Sequence, residues 1–87
     1  MRFELDLRNL PRERILGYLV DFGGVRQAPP EALRVTGQDW SAWLEPQPTL
    51  YISVIRSERD LLVIEGENKT AEQVYAFMRL KTMRGGG

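Results

Sequence analysis

Residues 50–65 constrain the fold more than any other stretch. They read Leu-Tyr-Ile-Ser-Val-Ile-Arg, a polar Ser57-Glu58-Arg59-Asp60 quartet, then Leu-Leu-Val-Ile-Glu. Two β-rich apolar runs flanking four polar residues predict a hairpin with the quartet at its tip. Both runs are apolar at odd and even positions: Leu50, Ile52 and Val54 alternate with Tyr51 and Ile55, and Leu61 and Val63 with Leu62 and Ile64. A one-sided antiparallel sheet normally turns polar residues outward. This hairpin is therefore expected to bury one face under the rest of the chain and to offer the other to a partner.

The flanking segments supply that cover. Arg2-Phe3-Glu4-Leu5-Asp6-Leu7-Arg8 alternates strictly, as a half-buried strand does. Asn9 is expected to cap the next helix, with Pro11 in its first turn and Ile15, Leu16, Leu19, Val20 and Phe22 as its apolar stripe. Gly17 costs a helix about 1 kcal/mol relative to Ala and is expected to mark close packing on the sheet. Gly23-Gly24 ends the helix. Residues 27–31, with Pro29-Pro30, read as an extended connector. Leu33-Arg34-Val35-Thr36 and Trp40-Ser41-Ala42-Trp43-Leu44-Glu45 read as strands joined by a turn, and Pro46-Gln47-Pro48 as the turn ending the second. A last helix is expected to open on a capping box from Thr70 to Gln73, Asn68 being the competing cap. Val74, Phe77, Met78 and Met83 are its apolar stripe, and Arg79, Lys81 and Arg84 suit the negative end of its dipole. The fold class is α+β: strand, helix, four strands, helix, with an antiparallel sheet and both helices on one face. One domain spans residues 1–84, followed by a glycine tail.

Composition removes most chemistry. The 87 residues suffice for one domain. Twelve basic and twelve acidic side chains cancel, which argues against nucleic acid or an anionic membrane as partner. Cysteine and histidine are both absent, so thiolate and imidazole nucleophiles, bases and metal ligands are excluded. Ser41, Ser53 and Ser57 thus have no histidine to activate them, and no catalytic residue, cofactor or metal is expected. An acid cluster of Glu45, Glu65 and Glu67 beside Arg34 or Arg56 is the one enzymatic arrangement to weigh. Acids at strand ends are more often solvated or paired with arginine, so the chain is not expected to be an enzyme. It opens on a strand pattern without a basic, apolar leader, and no apolar run approaches ~18 residues; a cytoplasmic protein is expected. Ten arginines against two lysines, with no cysteine, suit a thermophile.

Trp40 and Trp43 are three apart and point to opposite faces of a strand. One enters the core. The other, with Tyr51, Ser53 or Ile55 according to register, lies on the open face, where aromatic anchors serve interfaces. Trp43, Tyr51, Ser53 and Ile55 are the candidate interface for a homo-oligomer or another protein partner.

Pro11 entering a helix, Tyr18-Leu19, Gly23-Gly24, Glu45-Pro46, Glu65-Gly66-Glu67, Ala71-Glu72 and the closing Arg84-Gly85-Gly86-Gly87 follow one another along nearly the whole chain. In this order they resemble the C-terminal accessory domain of MoaD-related proteins, which follows a ubiquitin-like sulfur-carrier domain. The resemblance implies a TATA-binding-protein-like topology and brings no established chemistry. It also implies a second functional reading, an accessory or carrier-like role in sulfur or molybdenum-cofactor metabolism, with Arg84, Gly85, Gly86 and Gly87 as the tail contact. The chain is expected to lack that ubiquitin-like domain. Sulfur carriers activate a Gly-Gly that extends from a strand, whereas this tail follows a helix. A direct sulfur-carrier role is therefore not expected.

Overall fold

The computed structural model describes residues 1–52 and 55–83, and the side chains among them outside residues 49–58. Strands β1 (Arg2–Arg8), β2 (Val25–Arg26), β3 (Arg34–Gly37), β4 (Trp40–Ile52) and β5 (Ile55–Gly66) form one antiparallel sheet in the order β1-β5-β4-β3-β2. Helices α1 (Arg12–Phe22) and α2 (Asn68–Thr82) share one face of it. This is the expected strand–helix–four-strand–helix order. No described helix is long and apolar enough to cross a membrane.

Strand alternation sorts the side chains. Leu7, Val35, Trp40, Ala42, Leu44, Leu62 and Ile64 point under the helices and meet Ile15, Leu16 and Leu19 of α1 and Ala71, Val74 and Met78 of α2, all buried. Trp40 is the core tryptophan, and Trp43 lies on the opposite face. Phe22 meets the Trp40 ring edge-on at 5.8 Å, and Phe3 stacks on Tyr75 at 4.6 Å. Trp40 and its neighbours crowd three glycines. A Cβ at Gly37 would overlap the Trp40 Nε1, one at Gly24 would meet Val35 Cγ1 and then Trp40 Cη2, and one at Gly66 would meet the Asp39 carbonyl and then Trp40 Cα.

The hairpin differs from the expected one. Residues 57–60 are not its tip: β5 runs through them, and pairing continues outward to Ile52↔Ile55. The polar quartet imitates a turn by composition. In the structure Arg59 alternates onto the outer face, while Asp60 points inward, buried, and accepts a hydrogen bond from Arg12 Nε at 2.9 Å. Nor do Pro46-Gln47-Pro48 end a strand; β4 passes through them, with a register shift between Gln47 and Leu50. Pro46 is tolerated for a specific reason. Backbone groups of even-numbered residues here face β3, as the Leu44 N–H to Leu33 carbonyl bond shows. Beyond Leu44 no strand pairs on that side among the described residues, so the missing N–H of Pro46 leaves no bond unmade there.

Several local expectations are corrected. Asn9 does not cap α1; it takes a left-handed conformation (φ 57°) in the connecting turn, and Pro11 is the uncapped N-terminal residue. The caps of α2 are neither Thr70 nor Asn68. Glu67 precedes the helix, and its carboxylate accepts from the Thr70 backbone N–H at 3.0 Å and hydroxyl at 3.2 Å. The connector contains β2 and a 3-10 turn, Pro30–Ala32. Val20 and Met83 are exposed. Gly17 does not mark close packing: a Cβ there would meet nothing within 4 Å.

The glycines can be separated by substitution. Gly17→Ala is expected to raise stability by about 1 kcal/mol, because only the helix penalty of glycine is removed. Gly37→Ala is expected to cost about 1–3 kcal/mol through overpacking on Trp40. Urea unfolding monitored by circular dichroism checks both, as midpoint shifts of opposite sign.

Candidate functional site

The outer face of the sheet is built in rows across the strands. Glu4, Val63, Trp43 and Arg34 form the central row; Arg2, Glu65, Ser41 and Thr36 flank it on one side, and Asp6, Leu61 and Glu45 on the other. Arg8, Arg59 and Gln47 follow. Among the described side chains the face carries Arg2, Arg8, Arg34 and Arg59 against Glu4, Asp6, Glu45 and Glu65, whose formal charges balance.

Trp43 is its centre. The Arg34 guanidinium lies 4.3 Å from the ring centroid and that of Arg2 5.9 Å, within cation–π range. The indole Nε1 donates to Glu45 Oε2 at 2.9 Å. Val63, between Trp43 and Glu4, is fully buried although it faces away from the helices. The outer face is therefore not a bare apolar patch: its valine is covered, and the partly exposed tryptophan is fixed on one edge by a carboxylate and overlaid by guanidinium groups.

The acids expected to cluster are dispersed. Glu65 pairs with Arg2 at 3.0 Å, Glu45 holds Trp43, and Glu67 caps α2. Arg34 stacks on Trp43 and pairs with no acid among the described side chains. Among the described residues no three Asp or Glu side chains approach closely enough to hold a metal. Glu4, and then Glu65, hold the Arg2 guanidinium above its usual pKa by hydrogen bonding. Bonds from the Thr70 and Lys69 backbone N–H groups lower the Glu67 carboxyl. Two shallow grooves lie away from this face: about 260 Å³ along α2, lined by Tyr75, Ala76, Arg79, Leu80 and Met83, and about 390 Å³ beside Glu13, Arg26 and Pro30.

Of the predicted interface residues, Trp43 lies on the outer face. Tyr51 pairs with Arg56 and Ile55 with Ile52 in the two-stranded end of the hairpin, where side chains lie outside the described set, as does the whole of Ser53. Arg84, Gly85, Gly86 and Gly87 also lie outside the described residues. Sequence reasoning missed the role of Arg34 and Arg2 beside Trp43. The available signal was the i, i+2 alternation of each strand, which places all three on one face once strand order is known.

The chain matches a protein-family model. Residues 3–87 fit the family described as archaeal MoaD-like protein. No curated protein matches the chain.

The Glu67 cap makes a pH-dependent contribution. Its folded-state pKa lies below the ordinary value of 4.5, so its stabilisation is complete above that value and fades as pH falls through the lowered one. Glu67→Ala is expected to lower Tm at pH 7, and the gap from the unaltered protein should narrow in acid. Thermal melts at pH 7 and well below pH 4 check this.

Proposed function

Because the chain belongs to the archaeal MoaD-like family, we propose that it is a non-catalytic interaction module, docking a protein surface through the outer sheet face around Trp43. The observation carrying this reading is the pre-positioned Trp43, fixed by Glu45 and overlaid by Arg34. Tryptophan and arginine dominate binding energy at interfaces, and an indole already held in place loses little freedom on docking. The balanced charges of the face favour a protein surface of mixed sign over a polyanion. The absence of histidine and cysteine, with the dispersal of the acids, supports a role without chemistry.

Arg34→Glu and Trp43→Ala test the proposal. Arg34→Glu is expected to leave the fold intact, judged by near-unchanged melting, and to abolish whatever association the unaltered protein shows. Light scattering reads self-association, and co-purification from native cells reads partners. Retention of the same mass and the same co-purifying proteins by both variants would sink the reading.

A second reading is supported by the family match, which includes the closing Arg84, Gly85, Gly86 and Gly87. It is a carrier-like or accessory role in sulfur or molybdenum-cofactor metabolism, with the tail offered to an adenylating enzyme. ATP–pyrophosphate exchange with such an enzyme is expected to depend on the intact tail and to be lost when Gly86 and Gly87 are deleted. No exchange with the intact chain ends this reading.

A further inference from the structure

Among the described side chains of the outer sheet face, three of the four arginines are already engaged by the chain's own acids. Arg2 pairs with Glu4 and Glu65 at 3.0 Å, and Arg8 and Arg59 each lie 3.4 Å from Asp6. Arg34 differs. Its guanidinium lies 4.3 Å from the Trp43 ring centroid, and it pairs with no acid among the described side chains. Glu45, its diagonal neighbour across β3 and β4, turns to the indole instead and accepts from Trp43 Nε1 at 2.9 Å. A partly exposed guanidinium with five N–H donors is thus held beside a tryptophan and has no counter-charge among the described residues.

That guanidinium selects the chemistry of what docks. Its planar fork matches a carboxylate bidentately, and its place over an aromatic ring already restricts its motion. A single carboxylate neutralises it. A polyanion would do so too, but would then meet Glu4, Glu45 and Glu65 on the same face, like against like. The complement is therefore one acid within a protein segment of otherwise mixed character.

The surroundings of Arg34 set the neighbour of that acid. Trp43 and Leu61 are diagonal neighbours on β4 and β5, both half-buried, next to the buried Val63. A carboxylate bonded to Arg34 at the usual charged distance of about 2.8 Å comes within about 8 Å of the Trp43 ring. Residues on the same side of an extended segment are about 7 Å apart. An acid and an apolar residue two positions apart therefore reach Arg34 and Trp43 together.

We infer that the partner docks at Trp43 through an extended acidic segment, in which an aspartate or glutamate lies two residues from an apolar side chain. The carboxylate takes the fork of Arg34, and the apolar group rests on Trp43 and Leu61. This inference rests on the docking reading above and adds to it the chemistry of the partner.

A library of random dodecapeptides displayed on phage, selected against the unaltered chain, is the test. Selected peptides are expected to share an acid and an apolar residue two apart, in either direction. In a synthetic selected peptide, followed by fluorescence anisotropy, replacing the acid by its amide should weaken binding about tenfold or more, as loss of a charged hydrogen-bonded pair does. That arm leaves the chain itself unchanged. Arg34→Gln should cause a similar loss and no further loss with the amide peptide, because the two changes remove one interaction. Arg34→Glu should reject the selected peptide and bind a version with arginine in place of the acid. Melting temperatures verify that the Arg34 variants fold. Peptides that need Trp43, judged by loss on Trp43→Ala, but share no acid would overturn this inference and leave the docking reading standing. A shared acid whose amide binds equally well, or whose effect survives Arg34→Gln, also overturns it. No enriched sequence, or enriched sequences indifferent to both Trp43→Ala and Arg34→Gln, overturns the two together.

Discussion

The packing of Trp40 against the backbone is the contact on which the rest of the fold depends. Its indole lies against two reversals of the chain, the exit of α1 at Gly24 and the end of β3 at Gly37, and its backbone, with the Asp39 carbonyl, against a third, the passage from β5 to α2 at Gly66. At each point a side chain larger than hydrogen would displace the ring or the neighbouring backbone. Phe22 closes the remaining side, edge-on. A large aromatic group inserted among glycines fixes distances between elements that are remote in sequence, because close-packed interiors do not deform continuously. Bonds around the same corner act with it: Gly24 N–H to the Leu19 carbonyl ends α1, and Glu67 N–H to the Asp39 carbonyl ties the start of α2 to the β3–β4 turn.

This dependence explains which parts of the fold were legible. Element types and their order follow from periodicity, which is local: Phe3, Leu5 and Leu7 alternate and Ile15, Leu16 and Leu19 recur at helical spacing, and the structure uses them so. Boundaries failed where tertiary pairing overrode composition. Ser57-Glu58-Arg59-Asp60 has turn composition, yet a two-stranded ribbon needs no apolar face toward solvent, and Arg12 supplies the partner that lets Asp60 be buried inside a strand. Pro46 looked like a terminator because its missing donor matters only on a paired side, and pairing is not visible in a sequence. Glycines were read by the wrong cue. Gly17 stood in a helix and suggested contact, while the tight contacts lie at Gly24, Gly37 and Gly66, which the chain presents as ordinary turn glycines.

The candidate site was legible in part for the same reason. That one tryptophan of the pair must leave the core follows from strand alternation alone, whichever register holds. Its surroundings do not, since Arg34, Arg2 and Glu45 come from three different strands and meet Trp43 only through the order β1-β5-β4-β3. Among the described side chains, the outer face alternates in charge around a buried valine.

That arrangement has a consequence for how the domain can bind. A broad apolar face would associate with any similar surface, driven by area alone. Among the described residues, the charges around Trp43 already pair within the chain: Arg2 with Glu4 and Glu65, Asp6 with Arg8 and Arg59. A partner gains little by neutralising them and loses by opposing them, so charge acts on selection more than on strength.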